Sequence, residues 1–158
     1  MSPPDSDPEA LSGEFELAPF RLEDLEQVLE LEEASFPDDA FSEEIFLSQM
    51  AVSPRGFIVA RRGGSVVGYV LATERRGQGL IMSIAVSPEF RRRGLGTLLM
   101  SSALSYLATK FKAVYLQVDA EHEETIRFYR KHSFVETGRV LKRYYPNGHD
   151  ALEMVRRL

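Results

Sequence analysis

The stretch at residues 80–97, LIMSIAVSPEFRRRGLGT, constrains this chain more than any other. An almost wholly apolar run, of the kind a strand covered on both faces requires, ends at Val86. Ser87-Pro88 stops it, because proline has no amide to give a sheet ladder. Arg91, Arg92 and Arg93 follow, then Gly94, Leu95, Gly96 and Thr97, where an apolar helical pattern begins. Glycines let backbone approach a ligand without Cβ interference, and a helix start offers unpaired N–H groups and a positive dipole end. With the arginine charges beside them, these residues read as a cradle for pyrophosphate.

Two familiar phosphate loops do not fit. A Walker loop needs lysine and then serine or threonine after its last glycine, but Thr97 follows Gly96 directly. The dinucleotide fingerprint needs a third glycine where Leu99 stands. Composition narrows the field further. A net charge of −5 makes the arginines a local feature and argues against nucleic-acid binding. There is no cysteine, so thiolate metal sites and a cysteine nucleophile are excluded. The histidines His122, His132 and His149 show no ligand spacing, and no metal is expected. No stretch reaches membrane-spanning length and no secretory signal is evident, which makes the cytoplasm the expected compartment.

At 158 residues the chain suits one domain. Residues 1–13 are rich in proline and acid, an expected disordered tail, and residues 14–158 form the domain. A short strand is expected at 15–20 and a helix at 22–34, with Leu22, Leu25, Val28 and Leu29 on one face. Pro37 breaks that helix, and Ser42 is placed to cap a second. Strands at 56–61 and 65–73 join through Gly63-Gly64 as a hairpin, and a polar loop at 74–78 precedes the central strand. A helix from Leu95, a strand at 113–119 and a short helix at 123–132 follow. Strands at 134–145 and 151–157, turned at Pro146-Asn147-Gly148, end the chain. The order is β-α-α-β-β-β-α-β-α-β-β, an α/β domain with a mixed sheet.

Arg91-Arg92-Arg93-Gly94-Leu95-Gly96 resembles the Q/R-x-x-G-x-G/A loop of the GNAT superfamily of N-acetyltransferases, whose element order is the one just given. SFPDDAFS, IMSIAVSPEFRRRGLGTLLM, IRFYRKHSF and RYYPNGHDALEM, in that order, are similar to the RimI/Ard1 type of protein N-terminal acetyltransferase. The resemblance implies a mostly antiparallel central sheet flanked by helices. It implies acetyl-CoA as donor and a primary amine as acceptor.

It also implies roles for particular residues. Ile84, Ala85 and Val86 offer backbone groups to the pantetheine arm, and residues 91–97 hold the pyrophosphate. Tyr129 protonates the departing thiolate or lies beside the sulfur; a phenol is suited to this because it donates while neutral. His122 stands where many relatives have an asparagine that contacts the cofactor. Phe36, Pro37 and Asp38, with Tyr144 and Tyr145, line the slot for the acceptor peptide. Adjacent tyrosines on one strand point to opposite faces, so one of the pair is expected to face the slot.

The proton acceptor departs from the family pattern. The usual glutamate, twelve residues before the tyrosine, is Gln117 here, and the alternative tyrosine at the start of the central strand is Leu80. Asp38, Glu33 or a water held by Gln117 remain as substitutes. The loss weighs less for one class of acceptor. An α-amine, pKa about 7.7–8.0, is about a tenth neutral at pH 7, whereas a lysine is neutral to roughly four parts in ten thousand. That gap is on the order of 3 to 4 kcal/mol, partly offset by lysine's greater nucleophilicity.

The reading is therefore transfer of acetyl to the N-terminal α-amine of a protein, with a ribosomal protein as one specific substrate. An acetyltransferase for lysine or small amines is the rival within the fold. A CoA-binding module with little catalysis is the rival of another class.

Overall fold

The structure is a computed structural model that describes residues 14–158; the expected tail, residues 1–13, lies outside them. Strand β1 (Glu16–Pro19) leads through a short 3-10 turn (Leu22–Asp24) into helix α1 (Leu25–Ser35), followed by α2 (Glu43–Val52). Strands β2 (Phe57–Arg62), β3 (Ser65–Arg75) and β4 (Gln78–Val86) come next. Helix α3 (Leu95–Ala108), β5 (Ala113–Asp119), α4 (Glu123–Lys131), β6 (Val135–Leu141) and β7 (Ala151–Arg157) complete the domain.

The strands form one seven-stranded sheet in the order β1-β2-β3-β4-β5-β7-β6. Every pairing is antiparallel except β4 with β5. This is the expected mostly antiparallel sheet, and helices cover both its faces. On one side Leu95, Leu99, Met100, Ala103 and Leu107 of α3 pack with Val70, Ile81, Leu116 and Met154. On the other, Val28 of α1 and Phe46 of α2 pack with Phe57, Val59, Tyr69 and Leu71. Successive residues of β3 thus enter opposite cores, which is why its sequence reads as continuous apolar chain. Where α1 begins, Asp24 is buried with Arg61 and accepts from its Nε at 3.2 Å and from the Arg21 amide at 2.8 Å.

Several local expectations are corrected. The residues read as a polar loop at 74–78 mostly extend β3 and β4, with Arg76 (φ 54°) and Gly77 (φ 77°) making a tight reversal. Both central residues of such a turn need positive φ, which an arginine does not advertise. Ser42 stands at the start of α2, but the helix is capped by its carbonyl, which accepts from Ile45 and Phe46, and not by its hydroxyl. The last hairpin also differs. β6 carries a register shift between Glu136 and Val140 and stops at Leu141, and Arg143 (φ 49°) turns the chain out of the strand. Tyr144 and Tyr145 therefore lie in the connecting loop, so strand alternation does not govern where they face.

Candidate active site

β4 and β5 pair only at Gly79–Val114, Leu80–Tyr115 and Ile81–Leu116. Beyond this point they separate: β4 continues beside β3 through Val86, and β5 beside β7 through Asp119. A cavity of about 370 Å³ opens in the gap, lined by Met82, Ser83 and Ile84 on one side and Gln117, Val118 and Asp119 on the other. Backbone groups of β4 that β5 does not take up face this space, a good match for the amide-rich arm of a cofactor.

Residues 91–97 lie where β4 runs out. Gly94 takes the left-handed conformation (φ 81°, ψ 4°) at the start of α3, and the amides of residues 92–97 have no acceptor among the described residues. This run of directed N–H groups suits an anion. The three arginines do not act as one cluster. Arg91 turns back to give Nε to the Val86 carbonyl at 3.0 Å, and Arg92 is exposed at φ 60°. Arg93 bonds Glu14 at 3.0 Å and lies over the Phe90 ring, so its charge is already engaged. Gly96 serves packing: a Cβ there would meet Phe128 of α4 at 3.2 Å. Leu95 is buried in the core and offers only its backbone, while the Thr97 hydroxyl lies 3.3 Å from Nε2 of His132. Ile84 faces the cavity, Ala85 is buried, and Val86 is half-buried at the end of the strand.

Tyr129 lines the cavity from α4, its ring packed edge-on against Phe128 at 5.7 Å and Phe134 at 5.9 Å. It is at once a core aromatic and part of the cavity lining. Burial, then the nearby Glu32 carboxylate, push its phenol well above the ordinary value, so it stays protonated.

Two loops close the acceptor end. From one side come Phe36, Asp38, Asp39, Ala40 and Phe41; from the other, Tyr144, Tyr145 and Pro146. Both tyrosines line the cavity, with their rings edge-to-face at 5.0 Å. Burial and the Asp39 charge push the Tyr145 phenol upward. Pro37 is exposed and shapes the loop without joining the lining. Leu80 and Gln117 both face the cavity, so neither position supplies a base there. Asp38 lines it too, but Glu33 is exposed and outside the lining.

Sequence reasoning passed over Glu32 beside it. Glu32 is 1% exposed, and its Oε1 accepts from the Tyr69 and Ser83 hydroxyls, the latter at 2.7 Å. Its Oε2 accepts from the Phe41 amide at 2.9 Å, and burial lifts its carboxyl above the usual range. The signal was present, since Glu32 lies four residues after Val28 on the buried stripe of α1. Asp39 was also missed; it is half-buried in the lining, and burial raises its carboxyl, opposed first by the charge of His122.

His122 stands at the start of α4 and lines the cavity, Nε2 3.7 Å from Asp119 Oδ2. The fold also brings together charged groups that spacing in the sequence does not connect. His149 gives Nδ1 to Asp119 at 2.8 Å and places Nε2 2.9 Å from Glu121, forming an ion-pair cluster at the foot of the tyrosine loop.

The description Acetyltransferase (GNAT) family matches residues 22–134. An N-alpha-acetyltransferase of Sulfurisphaera tokodaii is 30% identical, over 92% of this chain and 95% of its own. A Bacillus subtilis relative, 30% identical over 85% of this chain and 89% of its own, bears a name that proposes alanine N-acetyltransferase activity on ribosomal protein bS18. The crystal structure of Ard1 from Thermoplasma volcanium superposes with a TM-score of 0.86 at 31% identity, covering 92% of this chain and 98% of that one. The splayed strands, the amide-lined loop and these likenesses agree: this chain belongs to the GNAT acetyltransferase family.

Proposed function

We propose that this chain transfers the acetyl group of acetyl-CoA to the α-amine of a protein N-terminus. The observation that carries the reading is the lining of the splay by Leu80 and Gln117, neither of which can accept a proton at neutral pH. An acceptor already about a tenth neutral at pH 7 suits such a site, and a lysine, neutral only to parts in ten thousand, does not. The two loops facing each other across the acceptor end give an extended chain end a place to enter. The names of the relatives above point the same way.

Acetyl-CoA supplies a thioester whose carbonyl carbon the amine attacks. The amides of residues 92–97, with Arg92 beside them, hold its phosphates, and the unpaired edge of β4 at Ile84 and Val86 holds the arm. Tyr129 gives its hydroxyl hydrogen to the sulfur as the C–S bond breaks and the new C–N bond forms, and takes back a proton from the amine nitrogen. Phe36, Asp38, Tyr144 and Tyr145 position the incoming chain end, and the Gln117 amide hydrogen-bonds to it without taking its proton. Holding amine and thioester together supplies much of the rate.

The finer reading, that the acceptor is the alanine terminus of a ribosomal protein, rests on the name of the Bacillus subtilis relative. Both levels are tested by incubating the protein with acetyl-CoA and peptides beginning Ala, Ser, Met-Leu or Met-Glu, each with an internal lysine. Mass spectrometry then locates the acetyl group. Acetyl on the α-amine is the expected result, and preference for the Ala peptide favours the ribosomal substrate. Acetyl on lysine alone overturns the reading in favour of a lysine acetyltransferase. No product despite bound acetyl-CoA favours a binding module.

A further inference from the structure

Leu80 and Gln117 supply no base. An α-amine that arrives mostly as an ammonium lies low enough in pKa to be served by a weak acceptor at the cavity, as a lysine does not, and the groups around the cavity differ in fitness for that task. Glu32 lines the cavity, but both its carboxylate oxygens are occupied by donors from Tyr69, Ser83 and Phe41, which commits it to holding the acceptor loop. Asp38 is exposed on the acceptor loop, where its carboxylate is taken up by solvent. Tyr145 and Tyr129 are held protonated by burial.

His122 is the one imidazole lining the cavity. Its Nε2 faces Asp119 at 3.7 Å, and Nδ1 has no partner among the described residues. Asp119 is fixed: it is 3% exposed, accepts from the Glu121 amide at 2.9 Å and holds His149 Nδ1 at 2.8 Å. At 3.7 Å the contact is an ion pair and not a hydrogen bond, with both Asp119 oxygens already taken by the Glu121 amide and His149, so it sets a negative charge beside the ring without fixing its tautomer. The side chain of His122 is also 44% exposed, so it touches both the cavity and solvent.

We propose that His122, with the Asp119 charge beside it, takes the proton from the incoming α-ammonium. This rests on the α-amine reading above and gives that site its base. The N–H bond of the ammonium breaks, its electron pair stays on nitrogen, and the proton goes to the imidazole. The neutral nitrogen then attacks the thioester carbonyl carbon. The C–S bond breaks with its pair on sulfur, and the second nitrogen proton ends on that sulfur by way of the Tyr129 hydroxyl. His122 returns its proton to water at its exposed edge, so each turnover yields an acetylated amine, CoA thiol and one released proton.

Charges facing the imidazole come from every side. Asp38 and Asp39 lie on the acceptor loop, Asp119 at the end of β5, Glu121 in the following turn, Tyr145 and His149 on the β6–β7 loop, and Glu123 and Glu124 on its own helix. Arg75 is the cation in the lining, and the surrounding acids draw an arriving ammonium to the cavity.

The test is kcat/KM against pH, from about pH 6 to about pH 9, for the wild-type protein, His122→Gln and Asp119→Asn, using a peptide whose α-acetylation mass spectrometry has already established. The expected result for His122→Gln is a loss of roughly 100-fold at pH 6.5 that narrows to a few-fold near pH 9, where the α-amine is neutral unaided. Acetyl-CoA affinity stays within about twofold of wild type, since binding does not require the proton to move. Asp119→Asn shows the same pH-dependent loss, smaller in size. An equal loss at every pH, no loss, or weakened acetyl-CoA binding with an unchanged pH profile overturns the proposal; the last outcome would make His122 a cofactor contact. Because the exposed His122→Gln change leaves the core untouched, its result does not depend on how Asp119→Asn folds. Acetylation of lysine alone by the wild-type protein would instead mark failure of the α-amine reading itself.

Discussion

The Oε2 atom of Glu32 accepts the backbone N–H of Phe41 at 2.9 Å, tying the acceptor loop to a carboxylate buried against the sheet. The other oxygen holds Tyr69 of β3 and Ser83 of β4, so one side chain fixes the loop relative to the strands that open the cavity. Replacing Glu32 by Ala strands three donors. A loss of about 2–4 kcal/mol in unfolding free energy is expected, from about 1–3 kcal/mol per buried unsatisfied group with partial relaxation. The KM for peptide rises, while acetyl-CoA binding changes little. Urea unfolding and steady-state kinetics measure the two effects.

The same carboxyl gives stability a pH dependence. Burial raises Glu32 above its ordinary 4.5, so the folded state holds this proton more tightly than the unfolded chain does. Its contribution is full below 4.5 and is lost as pH rises through the raised folded value. Glu32→Gln is expected to flatten that fall, read from urea midpoints across the acid-to-neutral range.

Tyr129→Phe keeps the ring contacts with Phe128 and Phe134 and removes only the hydroxyl. A fall of roughly 100-fold in kcat is expected, with melting temperature nearly unchanged, because a general acid contributes at least that factor. Burial keeps the phenol protonated past its ordinary 10.0, so Tyr129 gives the wild-type profile no alkaline limb below that pH. Thiol release followed against pH checks both statements.

Asp24 and Arg61 are buried together where α1 begins. Asp24→Ala leaves the guanidinium with Glu16, 3.7 Å away, as its remaining acidic neighbour. Breaking such a pair costs about 3–5 kcal/mol. Adding Arg61→Met should restore much of the loss, since the stranded charge is then gone. Chemical denaturation of the single and double variants decides whether it does.

His149 latches the tyrosine loop to Asp119, and the hydrogen bond to Asp119 raises its imidazole above the ordinary 6.5. That contribution is full below 6.5 and is lost as pH rises through the raised folded value. Burial acts to raise the Asp119 carboxyl, yet the Glu121 amide, His149 and the charge of His122 leave it lowered, so its share is lost only as pH falls through that lowered value. Between these limits both partners are charged. His149→Ala is therefore expected to raise the KM for peptide more at pH 6 than at about pH 9, where the wild-type latch is already loosening.

The order of elements, the glycine turn into α3 and the residue types that Tyr129, Gln117 and Leu80 bring to the cavity were legible from the chain alone. Each depends on local pattern: apolar periodicity, glycine and proline placement, and residue type at fixed spacing. Other features were set by contacts distant in sequence. α1 carries Glu26, Glu30, Glu32 and Glu33, and only the sheet it packs against makes Glu32 a buried anchor while Glu33 stays in water. Arg93 reads as a phosphate ligand until Glu14, 79 residues earlier, takes its guanidinium. Tyr144 and Tyr145 read as strand residues until Arg143 breaks the strand. His122 reads as a lone surface histidine until the ends of β5 and the β6–β7 loop gather Asp119 and His149 beside it. Backbone preference is written residue by residue, so sequence determines the elements. The partner of a charge is chosen by whichever distant group folding brings within a few ångströms, and only the tertiary structure decides that.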